Sequence, residues 1–179
     1  MALSCLLETG FTKADSCSYG LNKIEELYIA NFTDVTATEL GEGDDELASI
    51  TMKSSAKWYK YEPAKDTASY SDNLVVAGSG AKYRAQTIGF TISGAYDSDM
   101  LDRLHTLSLG RFMVAALLSN GTKVLFGRNT PLEADADGAN LVGEASADGT
   151  QGITVSLTCN SNEEALPISA AAWKTIVGE

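Results

Sequence analysis

Two nearly unbroken apolar runs, separated by a dipeptide typical of tight turns, constrain the fold of this chain more than any other feature. They lie in FMVAALLSNGTKVLFGR, residues 112–128, on either side of Asn120-Gly121. Asn-Gly favours a two-residue type I′ turn, because both central residues of that turn need positive φ. Strands that are apolar on both faces are typical of positions inside a sheet or sandwich. The segment therefore predicts a β-hairpin at the centre of a sandwich.

Other strands are predicted by alternation and by β-branched or aromatic content. In GITVSLTCN, residues 152–160, the odd-numbered residues from Ile153 to Cys159 are apolar and those between them are polar, which is typical of a half-buried antiparallel strand. KYRAQTIGFTIS, residues 82–93, has one face that turns from polar to apolar, so we expect a strand that begins outside the core and runs into it. Shorter strands or apolar runs are predicted at 26–32, 50–53, 57–63 and 74–76.

One segment, DSDMLDRLHTLS at 97–108, predicts a helix. Asp97 or Ser98 is a good N-cap and Gly110 a stop signal, so we expect the helix over 97–109. Its apolar residues fall within one arc of a helical wheel: Met100, Leu101, Leu104 and Leu107. The chain is thus predicted to be mainly β, an antiparallel β-sandwich or barrel with one flanking α-helix, in a single domain over 1–179.

The only histidine of the chain, His105, lies at the border of that apolar arc. No cysteine, serine or acid stands at a spacing that would make it a base or a metal ligand. The sequence also lacks a phosphate-binding glycine loop, a nucleophile elbow and an H-E-x-x-H motif. We therefore expect no enzyme and no cofactor. An unfamiliar catalytic site around His105 is the remaining enzymatic alternative.

The charge balance excludes some classes of partner. The chain has 24 acidic and 13 basic residues, a formal net charge of −11. Proteins that bind nucleic-acid phosphates concentrate lysine and arginine, and so do proteins that adhere to anionic membranes. No apolar run is long enough to span a membrane, and the opening MALSCLLETG does not read as a secretory signal. We expect a surface that repels DNA, with no membrane association.

Two acid-rich, glycine-containing segments, 38–49 and 132–151, are predicted to be long loops. The second invites a calcium interpretation, because acids and Gly138 fall at EF-hand spacing counted from Glu133. The acids concerned are Glu133, Asp135, Asp137 and Glu144. A glutamate at the first position, Asn140 at an apolar position and no leading helix oppose this interpretation. A solvated acidic loop is favoured, with a weak calcium site as the alternative.

Cysteines and aromatic residues give no clear chemical signal. Three widely spaced cysteines, Cys5, Cys17 and Cys159, form neither a disulfide framework nor a metal motif. In KWYKY, residues 57–61, alternation places Trp58 on one face and Tyr59 on the other. A core face opposite an interface face explains this cluster without a ligand, although stacking on a base or sugar is an alternative.

The C-terminal segment 165–179 contains Pro167, a run of small residues and an isolated Trp173. Its pattern is compatible with a final strand, a short helix or an arm that docks on a neighbouring subunit. These alternatives stay open at the level of sequence.

A family resemblance rests on two segments and on the order of elements. Cys17 followed by GLNKIEELYIANFTDV (20–35) resembles the start of virion structural proteins in phages and prophages of gut Bacteroidetes. The 152–159 strand beside an acidic, glycine-rich segment is similar too. Strands, an acidic excursion, a long strand, one helix, a hairpin and a closing strand together resemble phage tail tube proteins.

The resemblance implies a β-sandwich with one flanking helix that stacks as hexameric rings around a DNA channel. It further implies a virion protein assembled in the bacterial host cytoplasm, with copies of itself and other tail proteins as partners, and with DNA passing without specific binding. A net negative lining would repel the DNA. Strands of different subunits can join into a continuous inner sheet.

The acids expected to line the lumen or a ring-to-ring contact are Glu42, Asp44, Asp45, Glu46, Glu133, Asp135, Asp137 and Glu144. The alternative hypothesis is a monomeric β-sandwich binding module for carbohydrate or calcium.

Overall fold

The computed structural model describes residues 23–43, 45–143 and 151–178. Within these ranges, eleven strands and two α-helices follow one another. Their bounds are β1 Ile24–Asn31, β2 Val35–Leu40, β3 Leu47–Met52, β4 Tyr59–Tyr61, β5 Ser69–Val76, β6 Lys82–Ser93, α1 Ser98–Leu109, β7 Phe112–Leu118, β8 Lys123–Phe126, β9 Glu133–Gly143, β10 Gln151–Ser161, β11 Leu166–Pro167 and α2 Ala170–Val177.

The strands form two main antiparallel sheets and a separate hairpin. The five-stranded sheet has the order β11-β8-β7-β1-β4, and the four-stranded sheet has the order β5-β6-β10-β9. The hairpin consists of β2 and β3. The prediction of a mainly β, antiparallel sandwich with a flanking helix is confirmed. Of the two architectures expected, the barrel is wrong, because neither sheet closes on itself within the described residues.

Apolar side chains from both sheets form the main core between them. The four-stranded sheet contributes the predicted inward residues of β10 and of the second half of β6. From the five-stranded sheet come alternate residues of β1 and β7, with Phe126 of β8. The alternation read from residues 152–160 is confirmed, and β6 enters the core partway along its length, as expected. This cluster fixes the two sheets face to face.

A second apolar cluster covers the opposite face of the five-stranded sheet. There, Tyr28, Met113 and Ala115 pack against the β2–β3 hairpin and α2. Consecutive residues such as Val114 and Ala115 are therefore both fully buried, one in each cluster. This arrangement explains why the β7 segment is apolar without alternation, and it confirms the central position predicted for the hairpin.

Helix α1 begins and ends close to the predicted residues. The Asp97 side chain accepts a hydrogen bond of 2.9 Å from the Met100 backbone N–H, and Gly110 is the C-cap residue. Met100 and Leu107 are buried in the main core. The helix lies beside β9 and β10, so it closes one side of the gap between the two sheets.

The turn between β7 and β8 differs from the predicted type I′ turn. Gly121 has a φ of 84°, whereas Asn120 is not among the residues with positive φ. Gly121 donates to the Leu118 carbonyl and Leu118 to the Thr122 carbonyl, each at 2.8 Å. The loop is therefore a three-residue loop with a left-handed glycine at its third position. The Asn120 carboxamide instead accepts a hydrogen bond from the Thr122 N–H at 2.9 Å.

The two segments predicted as long acidic loops both contain strands. In the first, residues 38–40 and 47–49 belong to β2 and β3, and the described residues between them form the turn that joins these strands. In the second, residues 133–143 form β9, which pairs with β10, so the loop prediction is wrong for that part. Acidic side chains can occupy a strand when one face and one edge meet water. A bulge interrupts the β9–β10 ladder, and a Cβ on Gly138 would lie 2.6 Å from the Ser156 carbonyl oxygen. Glycine is thus required there by close backbone approach.

The apolar run predicted at 74–76 is the second part of β5, which begins at Ser69. At the C-terminus, α2 packs on its own chain within the second cluster and is the second α-helix among the described residues. The Trp173 ring stands edge-on to the Tyr28 ring, with centroids 5.2 Å apart. Of the alternatives left open for 165–179, the short strand and the helix are both present, and the arm docks on its own subunit.

A polar network fixes the crossover from the four-stranded to the five-stranded sheet. Gln86 is buried on β6; its amide donates to the Glu163 carbonyl at 3.0 Å and accepts from the Gly127 N–H at 3.1 Å. The Arg128 guanidinium holds both carboxylate oxygens of Glu163. Both polar atoms of this buried amide have a hydrogen-bond partner, so its burial costs less stability than that of an unpaired amide.

The core assignment predicts a large contrast between two leucines. Leu157→Ala removes a fully buried side chain between the sheets, so it should lower the free energy of unfolding by about 2–5 kcal/mol. Leu109→Ala truncates a side chain that is 85% exposed at the end of α1. It should change the free energy of unfolding by no more than about 0.5 kcal/mol. Urea unfolding followed by circular dichroism measures both. Similar losses for the two variants would contradict the core assignment.

Candidate functional site

The four-stranded sheet presents one face that neither hydrophobic cluster includes. Strand pairing and alternation assign residues of all four strands to this face, which we call the hydroxyl face. It consists of Ser69, Ser71, Asn73 and Val75 of β5, Tyr83, Ala85, Thr87, Gly89 and Thr91 of β6, Thr154, Ser156, Thr158 and Asn160 of β10, and Glu133, Asp135, Asn140 and Val142 of β9.

Short polar side chains contact one another across the strands of the hydroxyl face. The hydroxyls of Thr87 and Thr158 are 3.3 Å apart, as are those of Thr91 and Thr154. The Ser156 hydroxyl donates to an Asp135 carboxylate oxygen at 3.1 Å. Cross-strand threonine and serine pairs of this kind stabilise a sheet without apolar burial. The result is a flat polar surface rather than an uncovered core.

No lysine or arginine lies on the hydroxyl face among the described residues. The two bases of β6, Lys82 and Arg84, alternate to the other face of the sheet. Arg84 donates to the Asp72 carboxylate at 2.8 Å, and this hydrogen bond raises the pKa of the guanidinium. Lys82 and Arg84 thus lie on the face of the sheet opposite the hydroxyl face. Among the described residues, the charged groups of the hydroxyl face itself are Glu133 and Asp135.

Both outer strands of the four-stranded sheet have an open edge. Within the described ranges, β5 pairs only with β6, and β9 only with β10. Successive residues of an antiparallel strand direct their backbone N–H and C=O groups alternately to the neighbours on either side. The Gly94 N–H donates to the Gln151 carbonyl at 3.0 Å, and this bond determines, through the strand registers, which neighbour each residue of the sheet faces. The backbone groups that point away from the sheet are those of Tyr70, Leu74 and Val76 of β5 and of Leu141 of β9.

A groove lies between α1 and β4. It comprises two adjoining hollows of about 250 and 340 Å³ that share Tyr59, Tyr61 and Arg103. Apolar side chains, including Ile29 and Phe112, line the larger part of the first hollow. Burial raises the pKa of the Tyr61 hydroxyl. We call this feature the α1–β4 groove.

The predicted interleaving at 57–61 is confirmed in the structure. Trp58 is buried in the second cluster, whereas Tyr59 lies in the groove and is half exposed, with the Lys57 ammonium 5.3 Å from its ring centroid. On the same strand, the Lys60 ammonium contacts Glu26 at 2.6 Å. That contact lowers the pKa of the glutamate.

The acids selected from the sequence do not lie together. Glu42 and Glu46 are near the tip of the β2–β3 hairpin, on the layer beyond the five-stranded sheet. Glu133, by contrast, lies on the four-stranded sheet, where it contacts the Arg111 guanidinium at 2.6 Å. The two groups of acids therefore lie on different layers of the subunit. Asp45 is exposed beside Glu46, and Asp44, Glu144 and the Asp137 side chain lie outside the described part.

The other sequence candidates are not brought into a reactive arrangement. His105 is exposed on α1. Cys159 is buried in the main core, and burial raises the pKa of its thiol to about 11. Among the described residues, no group of three histidine, cysteine or acidic side chains could hold a metal ion. Cys5 and Cys17 precede the described ranges.

Comparison with known proteins gives no relative. No family model, no curated protein and no solved structure matches the chain. Neither helix of the described ranges has the length and apolar character that crossing a membrane requires.

The strand geometry of β9 predicts the outcome of a calcium titration. Glu133 is paired with Arg111 and Asp135 with Ser156 on an extended backbone, whereas an EF-hand needs a curled loop. Excess calcium should leave the thermal unfolding midpoint of both the native protein and Asp135→Asn unchanged. A calcium-dependent rise in the midpoint that Asp135→Asn abolishes would restore the calcium interpretation.

Proposed function

We propose that this protein is a structural subunit that assembles into rings and tubes around a channel for DNA, as a phage tail tube protein does. The observation that carries the proposal concerns the described residues: the four-stranded sheet has two unpaired edges and one polar face to which its strands direct no lysine or arginine. An open edge of this length is a liability in a monomer and is typical of strands that pair with another chain. The sequence resemblance to tail tube proteins supports the same function.

Lateral pairing of copies follows from the strand directions. The four strands alternate in direction, so β5 of one copy meets β9 of the next in antiparallel orientation. A ring of copies can therefore continue the sheet without a break in its alternation. Six four-stranded sheets, spaced at about 4.8 Å per strand, give a circumference of about 115 Å and a diameter of about 37 Å, which strand tilt widens. That space accommodates a DNA double helix.

The hydroxyl face has the chemistry of a channel wall for DNA. Hydroxyl and amide groups keep the wall hydrated. None of the described residues that the strands direct to this face is a lysine or arginine, and the Arg111 guanidinium at its border is paired with Glu133. The net charge of −11 adds long-range repulsion of phosphate. In this arrangement Glu133 and Asp135 face the lumen, while Glu42, Asp45 and Glu46 belong to the outer layer and to contacts with neighbouring rings or other tail proteins.

The alternative is a monomeric module that binds carbohydrate in the α1–β4 groove, where Tyr59 offers an exposed ring for stacking. This function would leave the two open edges and the uncovered face without a role, so we rank it second. Calcium binding has no ligand cluster in the described residues to support it.

Edge pairing is tested by a proline at an outward-facing position. Leu141→Pro removes a backbone N–H that points away from β10, so the subunit should fold, since an edge strand tolerates such a proline. Assembly should be lost, as seen by light scattering after size exclusion and by negative-stain microscopy at rising concentration. Leu141→Ala keeps the N–H and should assemble like the native chain. Equal assembly of both variants would argue against β9 as the joining edge.

The channel wall is tested by placing bases on it. Thr87→Lys with Thr158→Lys should make assembled tubes retain DNA in a salt-dependent way, because each lysine adds a phosphate contact that releases counterions. Ser108→Lys with Thr175→Lys adds the same charge on exposed helix positions and should retain much less. Electrophoretic mobility of a short duplex at two salt concentrations measures retention. Equal retention by the two double variants would place the hydroxyl face outside the lumen.

A further inference from the structure

The two open edges of the four-stranded sheet each carry a large, half-exposed side chain on the face opposite the hydroxyl face. Tyr70 of β5 is 42% exposed and Leu141 of β9 is 49% exposed. Both side chains lie on the face that turns toward the core, and both residues direct their backbone N–H and C=O groups away from their own sheet. Two residues that share both properties can stand directly opposite each other in a hydrogen-bonded pair between two copies.

Tyr70 and Leu141 lie at different heights along the strands of one subunit. Through the strand registers, Tyr70 lies at the height of Ile88 on β6, whereas Leu141 lies at the height of Ile92 on the same strand. The two edge residues are therefore offset by four residues, or about 13 Å. Copies placed side by side without a stagger would bring Tyr70 opposite Ala134, and most of β5 would extend past the beginning of β9.

A stagger of four residues between neighbouring copies removes this offset. In one direction along the strands, the stagger brings Tyr70 opposite Leu141 and nearly the whole of β5 beside β9. In the other direction it moves β5 past the end of β9, so that the two edges no longer meet. The stagger must be an even number of residues, because an odd one would continue the hydroxyl face of one copy into the core face of the next.

The closure of a ring requires a stagger of the same size. Four strands at about 4.8 Å each occupy about 19 Å, so a shift of about 13 Å per copy corresponds to a strand tilt of about 35°. Closed barrels have strand tilts of about 35–45°. A tilt of about 35° widens the ring from a diameter of about 37 Å to about 45 Å. The offset between the two edges and the geometry of closure therefore indicate the same register.

We propose that β5 of one copy pairs with β9 of the next copy in the register that sets Tyr70 directly opposite Leu141. The proposal rests on the assembly proposed above and names its lateral contact. The two half-exposed side chains then cover each other on the outer side of the ring. On the lumen side the same register sets Ser71 opposite Asn140, so the channel wall stays polar across the joint. Because the two edges differ, the contact is heterologous.

Disulfide formation between copies reports the register. The parent chain carries Cys5→Ser and Cys17→Ser, which leaves the buried Cys159 as its only cysteine. Adding Tyr70→Cys with Leu141→Cys should give covalent multimers on mild oxidation, because the Cα atoms of a hydrogen-bonded antiparallel pair lie about 5.5 Å apart, within the reach of a disulfide. The two positions lie on opposite edges of one subunit, so a disulfide between them joins two copies.

The matched control is Tyr70→Cys with Ala134→Cys, which reports unstaggered pairing. At a concentration where the parent chain assembles, non-reducing electrophoresis should show on the order of tenfold less multimer for this control, because its thiols lie too far apart in the staggered register. Negative-stain microscopy of the reduced samples checks that both double variants still assemble.

Charge complementation gives a second measurement that does not depend on cysteine chemistry. Tyr70→Lys with Leu141→Lys and Tyr70→Asp with Leu141→Asp each place like charges opposite each other at every contact. An equimolar mixture of the two variants can join unlike charges throughout, so it should assemble at about five- to tenfold lower concentration than either alone. Light scattering after size exclusion measures assembly. The lysine variant lowers the net negative charge of the chain, so overall repulsion does not explain its failure to assemble alone.

The outcomes distinguish this register from the proposed function. Cross-linking through Leu141 together with rescue in the mixture supports the register. If the native chain forms tubes but the disulfide forms through Ala134, or the mixture assembles no better than its components, the register is overturned and the tube function stays in place. A native chain that stays monomeric at every concentration overturns both proposals.

Discussion

The burial of the five-stranded sheet on both faces is the constraint on which the rest of the structure depends. Val114 and Ala115 are adjacent and both fully buried, so a layer must cover each face. The four-stranded sheet with α1 supplies one layer, and the β2–β3 hairpin with α2 supplies the other. Once both layers are used in this way, the described chain has nothing left to cover the far face of the four-stranded sheet. Short polar side chains, including Thr87, Ser156 and Thr158, occupy that face.

The sequence predicted correctly those elements whose signals come from residues close together in the chain. The helix at Ser98–Leu109, the strand at Lys82–Ser93 and the hairpin around Gly121 were predicted within a residue or two, because capping, alternation and turn chemistry are local. The prediction of a loop at β9 failed for a physical reason. An outer strand is held by backbone hydrogen bonds to one partner, so its side chains need not be apolar, and acid content alone says little about pairing.

The candidate surface was only partly accessible to sequence reasoning. Counting acids selected Glu42 and Glu133 together, although pairing places them on different layers. A better signal was available in the alternation of β6, since Lys82 and Arg84 occupy even positions and Thr87 and Thr91 odd ones. Because successive side chains of a strand point to opposite faces, this alternation alone assigns the bases and the hydroxyls of β6 to opposite faces of the sheet. The groove could not be foreseen, because α1 and β4 are distant in sequence and only the sandwich brings them together.

Open edges and strong net charge act in opposite directions on assembly. Outward backbone groups on β5 and β9 attract a partner strand only at hydrogen-bonding distance, whereas a net charge of −11 repels other copies over about a Debye length, roughly 8–10 Å at physiological salt. Isolated copies therefore resist random edge pairing, which is the hazard of such strands.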